Sequence, residues 1–126
     1  MLHQLSKEDV NETFQIRSAL ESYCTLQICK ETNSRKAGKL FKELNKIMEK
    51  MKKIMISSHS IDDFCEYDFR FHTQIINYLE NEQFSSIFAT FMYRMKRLAK
   101  FSLSHEGRME NTYKEHMDIL NAMQSG

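Results

Sequence analysis

The stretch Cys65-Glu-Tyr-Asp-Phe-Arg-Phe-His-Thr-Gln-Ile-Ile76 decides how the chain is read. Around it, Ile61, Phe64, Tyr67, Phe71, Ile75 and Leu79 recur at helical spacing and form one apolar stripe. At ~100° per residue, Asp68 and His72 fall inside that stripe rather than opposite it. They stand one turn apart, so their side chains lie one above the other on a single face. A carboxylate and an imidazole aimed at a core cost free energy unless something pairs with them. Either they satisfy each other, or they hold a third party such as a metal ion or an anionic ligand.

The same 3.6-residue period runs outward in both directions. A first helix starts at a capping box of Ser6 and Asp9 and runs to about Lys30, with Val10, Phe14, Leu20, Cys24 and Ile28 facing inward. Arg17 and Glu21 fall in the middle of that stripe. Asn33 or Ser34 caps a second helix that ends near Ser57 and presents Leu40, Leu44, Ile47, Met48, Met51 and Met55. Its Lys39, Lys42, Lys46, Lys50 and Lys53 interleave with Glu43 and Glu49 as a solvated face. Ser60 with Asp63 makes another capping box and opens the central helix, which runs to about Glu80. Asn81 caps a fourth helix with Phe84, Ile87, Phe88, Phe91, Met95 and Leu98 inward and Arg94 at the border of the stripe. After a turn around Gly107, a fifth helix runs to about Gln124, with His116 at the centre of the stripe Met109, Thr112, Tyr113, Ile119, Leu120 and Met123.

These elements predict an all-α fold, an antiparallel bundle of about five helices in one domain of 126 residues. The composition agrees: there is no proline, and hydrophobic residues make up 41%, enough for a packed core. A net charge of +1 gives no global field for nucleic acid or membranes. No apolar run approaches the ~18 residues of a membrane span. The N-terminus lacks the basic-then-apolar layout of a signal peptide. Three cysteines, without metal-type spacing, suit a reducing compartment, so a cytoplasmic location is expected.

Three of the five helices thus place titratable groups inside a core stripe: Arg17 and Glu21, then Asp68 and His72, then His116. A polar cavity inside the bundle explains all three at once. Asp68, His72 and His116 offer one oxygen and two nitrogens, a set that suits a divalent ion such as zinc or nickel. The guanidinium of Arg17 is suited to a carboxylate. No His-Glu-x-x-His, Glu-x-x-His pair, glycine-rich phosphate loop or Gly-x-Ser-x-Gly is present, and no nucleophile stands with its base. The chain is therefore not expected to be an enzyme.

The same residues resemble a known family. Arg17-Ser-Ala-Leu-Glu21 resembles the Arg-x-x-Leu-Glu of the FCD domain, the C-terminal effector-binding domain of GntR-family transcription regulators of the FadR subgroup. Asp68-Phe-Arg-Phe-His72 is similar to that domain's Asp-x-x-Phe-His, and Glu115-His116-Met-Asp-Ile-Leu to its Glu-His-x-x-Ile-Leu. Asn81 stands where the family tends to have Gly-Asn, with Glu80 in place of the Gly. Ala122-Met-Gln-Ser-Gly126 resembles the connection before the family's last helix.

The resemblance implies a dimerising helical bundle that binds a small organic acid or similar metabolite. It implies a divalent metal at Asp68, His72 and His116, and a ligand facing Arg17, with Glu21 and Arg94 as further ligand-binding candidates. Residues 1–126 read as a single FCD-like domain, C-terminally shortened relative to the family, whose final helix normally adds another histidine to the metal. Water, a ligand carboxylate, His105 or a neighbouring chain is expected to complete the coordination. With no DNA-binding module before Ser6, DNA is expected to be reached only through a separate winged helix-turn-helix module. The competing reading is a metal-free helical dimerisation module in which Asp68–His72 and Arg17–Glu21 are internal pairs.

Overall fold

The computed structural model describes residues 7–126, and all five expected helices are present. They are α1 (Lys7–Lys30), α2 (Arg35–Ile56), α3 (Ile61–Asn77), α4 (Glu82–Leu103) and α5 (Arg108–Ser125). Ser6, the expected cap of α1, lies outside the described residues. The other caps form through side-chain acceptors for otherwise unpaired first-turn N–H groups. Ser34 Oγ accepts from Ala37 N at 3.0 Å, Ser60 Oγ from Asp63 N at 3.2 Å, and Asn81 Oδ1 from Phe84 N at 3.1 Å. At Ser60 only this forward half of the capping box is made, because the Ser60 N–H donates to Ser58 Oγ at 3.3 Å.

Spatial order departs from chain order. α3 packs against α2, α4 and α1, while α2 packs against α3 and α5 instead of α1. Short turns fold α2 onto α3 and α3 onto α4 as helical hairpins. The core collects the inner faces of all five helices. Leu44, Met51, Phe64, Phe71, Ile75, Ile76, Leu120 and Met123 are essentially inaccessible to solvent. Outside, Lys39, Lys42, Lys46, Lys50, Lys53, Glu43 and Glu49 are all exposed, the solvated face that their spacing predicts. Thr32 Oγ1 donates to the Met123 carbonyl at 2.5 Å, tying the α1–α2 turn to the end of α5.

Two inward expectations are corrected. Phe14 is 43% exposed and Ile87 is 40% exposed, while Thr13 is 1% exposed. The buried edge of α1 runs through Thr13, Leu20, Cys24 and Ile28, so near its N-terminus the helix faces the core one position earlier than hydrophobicity suggests. Thr13 is tolerated there because its hydroxyl donates to the Asp9 carbonyl at 2.7 Å.

The central helix ends at Asn77, three residues short of the expectation. Tyr78 N bonds Ile75 O at 3.3 Å and Glu80 N bonds Asn77 O at 3.1 Å, so the chain tightens to three-residue turns. Glu80 then adopts φ 55°, the left-handed region that glycine occupies without strain. Its contact with Lys36, 3.9 Å between exposed side chains, adds little. Glu80→Gly is therefore expected to raise stability by roughly 0.5–1 kcal/mol, read as a higher urea midpoint. A lower midpoint would show that Glu80 contributes something its backbone conformation does not reveal.

Candidate metal centre and effector cavity

α3 and α5 meet at polar side chains in the middle of the core. Asp68, His72 and His116 are each buried, at 6%, 6% and 5% exposure. Asp68 Oδ1 lies 2.5 Å from His116 Nε2 and 3.4 Å from His72 Nε2. One carboxylate oxygen and two imidazole nitrogens therefore converge from two helices. Phe71 walls the cluster, stacked on His116 at 4.4 Å between ring centroids and edge-on to His72 at 5.8 Å.

Behind His72 stands a second carboxylate. Glu21 Oε1 lies 2.5 Å from His72 Nδ1, within hydrogen-bond distance, and its charge is the strongest influence raising the pKa of that ring. Arg17 Nε lies 4.0 Å from the same oxygen, one turn earlier on α1. The order Arg17, Glu21, His72, Asp68, His116 is thus a continuous run of polar contacts across three helices. His116 Nδ1 is buried and has no hydrogen-bond partner among the described residues.

Protonation follows from these contacts. Burial, the largest influence on Asp68, favours its neutral form, but the hydrogen bonds and charges of His116 and His72 together outweigh it. They hold the carboxyl well below the usual carboxylate range. Burial likewise opposes charge on His72, yet the Glu21 charge, followed by the Asp68 and Glu21 contacts, raises its pKa from 6.5 to about 9. Cys65, one turn before Asp68, has its thiol raised to about 11 by burial and then by the Asp68 charge. It is a poor source of thiolate for the cluster.

The cluster forms part of the wall of a cavity of about 110 Å³. Arg17, Thr13 and Phe14 of α1 line it with Asp68 and His72 of α3, and Arg108, Thr112, Glu115 and His116 of α5 complete the polar side. Met95, Leu98, Ala99 and Leu103 of α4 supply the apolar wall. The arrangement can orient an anion beside a cluster of metal-type donors. Phe14 finds its place here, with the Arg17 guanidinium 5.2 Å from its ring centroid.

Four of the expected site residues, Arg17, Asp68, His72 and His116, are brought together at this cavity. Glu21 stands behind His72 and does not line it. Arg94 does not line it either; its guanidinium lies 3.9 Å from Asp9 and near the Phe91 ring. His105 is exposed, its Nδ1 3.0 Å from the Phe101 carbonyl, and is not among the lining residues. Arg108 is the residue that sequence reasoning missed. Its signal was spacing: it precedes His116 by eight positions, close to two helical turns on one face.

A family model for the FCD domain matches residues 12–126, nearly the whole chain. The chain belongs to the FCD domain family, the effector-binding regulatory domain of GntR-type regulators. No curated protein and no solved structure gives a match to the chain. Among the described residues no helix is long and apolar enough to cross a membrane.

The charge pattern predicts a pH optimum for the metal-free protein. His72 has a folded pKa of about 9 above its ordinary 6.5, so its stabilisation is full below pH 6.5 and lost as pH rises through 9. Asp68 is depressed below its ordinary 3.8, so its stabilisation is present above that value and lost as pH falls below it. Stability is expected to be greatest between these limits and to fall by roughly 2–3 kcal/mol from pH 6.5 to 9. Urea unfolding across that range measures it; a flat profile would mean that His72 is uncharged in the folded state.

Proposed function

We propose that this chain is a metal-dependent effector sensor, in which a divalent ion, zinc or nickel, is held by Asp68, His72 and His116. The observation that carries this is the convergence of three buried donors from α3 and α5 on the wall of a cavity. Around a tetrahedral ion with bonds of ~2.0–2.1 Å, ligand atoms stand about 3.3 Å apart. The present separations of 2.5 and 3.4 Å bracket that spacing. The donor chemistry also fits, since a carboxylate with two imidazoles suits these ions. When bound, the ion supplies a Lewis-acid anchor for the oxygens of a small carboxylate.

The chain's own residues do the rest. Arg17 presents its planar guanidinium to the carboxylate. Glu21 acts through His72, orienting the ring so that Nε2 faces the cluster, the usual role of a carboxylate behind a metal-binding histidine. The apolar wall from α4 excludes water. Because α1, α3, α4 and α5 all contribute to the cavity, its occupancy favours one packing of the bundle. A homodimer is supported by apolar side chains exposed on α1 and α4, Tyr23, Leu26 and Ile87, with Tyr23 edge-on to Phe84. The effector biases the assembly only by its differential affinity for two states. DNA is engaged through a winged helix-turn-helix module outside residues 1–126.

The metal-free interaction module has one observation in its favour. A protonated His72 between Glu21 and Asp68 satisfies much of the cluster without an ion. Zinc titration of untagged, chelator-stripped protein separates the readings. Binding of one zinc per chain is expected, with Glu21→Gln weakening it about 10–100-fold and His72→Ala more than about 100-fold. Equal zinc binding by wild type and His72→Ala would overturn the site and favour the metal-free module.

A further inference from the structure

The cavity has a second cation that the proposed function leaves without a role. Arg108, the first residue of α5, lines it together with Arg17 of α1. Arg108 Nε donates to Ser102 Oγ at 3.4 Å, and its Nη1 stands 3.9 Å from Glu115 Oε1. Both separations exceed the ~2.7–2.9 Å of a charge-assisted hydrogen bond. The guanidinium is therefore aimed but not saturated, and its fork of donors remains open to an anion. Its side chain is 37% exposed and that of Glu115 is 60% exposed, so this end of the cavity meets solvent. Asp68, His72 and His116 form the buried end.

Charge sets what the cavity accepts. Arg17 and Arg108 contribute two positive charges to its lining, and Asp68 and Glu115 contribute two negative ones. These cancel. With both imidazoles neutral, as ligation requires, a divalent ion leaves a balance of two positive charges. A dianion restores neutrality, whereas a monoanion leaves one positive charge of the cavity uncompensated. Size sets the rest: about 110 Å³ is well below the ~300–1,000 Å³ of pockets for drug-sized ligands. Resting on the metal-dependent reading above, we infer that the effector is a short dicarboxylate that spans the cavity. One carboxylate meets Arg17 and the metal cluster, and the other meets the open donors of Arg108, with Glu115 kept in place beside it.

Succinate and butyrate test this, being four-carbon acids with two carboxylates and one. Calorimetric titration of the zinc-loaded protein is expected to show succinate binding at least about tenfold tighter than butyrate. Arg108→Gln is expected to bring succinate down to the butyrate affinity while leaving butyrate within about twofold. Arg108→Lys, which keeps the charge but loses the fork, is expected to retain part of the preference. Equal affinities of wild type for the two acids would overturn the dicarboxylate inference alone. An equal loss for both acids in Arg108→Gln would do the same, by making Arg108 a structural residue. If neither acid binds the zinc-loaded protein, the carboxylate-effector reading falls, and this inference with it.

Discussion

A carboxylate buried among helices has to be answered by positive charge or by hydrogen-bond donors, and Asp68 is the residue on which this structure turns. Desolvation acts strongly against its charge, and only the two imidazoles beside it reverse the balance. Those imidazoles come from different helices, so the requirement is also a constraint on architecture. α5 has to present His116 to α3 at hydrogen-bond distance, and α1 has to present Glu21 to the far side of His72. Removing one member of such a buried set leaves the others uncompensated, which typically costs ~3–5 kcal/mol. Replacing the whole set by hydrophobic side chains often costs nothing. A fold that needed only stability had the cheaper option of an apolar core at this point.

The surrounding packing is consistent with a site. Phe71 lies against both imidazoles and keeps water from one side, while the other side opens to a cavity bounded by α1, α4 and α5. Across the cavity, polar groups of α1, α3 and α5 face an apolar wall from α4. In the FCD domain family an effector is read by a regulatory domain. Here the cavity is lined by four helices, α1, α3, α4 and α5. That is the geometry by which a small differential affinity can select one arrangement of the bundle over another.

Much of this was legible in the sequence, for identifiable reasons. The helices follow from the 3.6-residue period, and the caps at Ser34, Ser60 and Asn81 follow from short polar side chains that accept first-turn N–H groups. Asp68, His72 and His116 stood out because each interrupts an apolar stripe. What the period cannot convey is rotation by a single residue: Phe14 and Thr13 differ by 100°, and hydrophobicity favoured the wrong one. Nor can one helix's period say what lies across the gap. Glu21 shares the stripe of Arg17, yet only the packing of α1 on α3 puts it behind His72 and out of the cavity. Arg108 was hidden for a related reason, since it follows a turn at Gly107, whose φ of 80° redirects the chain, and its facing depends on how α5 returns against α4.

X-ray absorption at the zinc edge of the zinc-loaded, untagged protein reads the donors themselves. With Asp68, His72 and His116 as ligands, a first shell of nitrogen and oxygen at ~2.0–2.1 Å is expected, with the outer-shell scattering of two imidazoles and no sulfur. A sulfur shell at ~2.3 Å, or fewer than two imidazoles, would contradict it by placing the ion away from Asp68, His72 and His116.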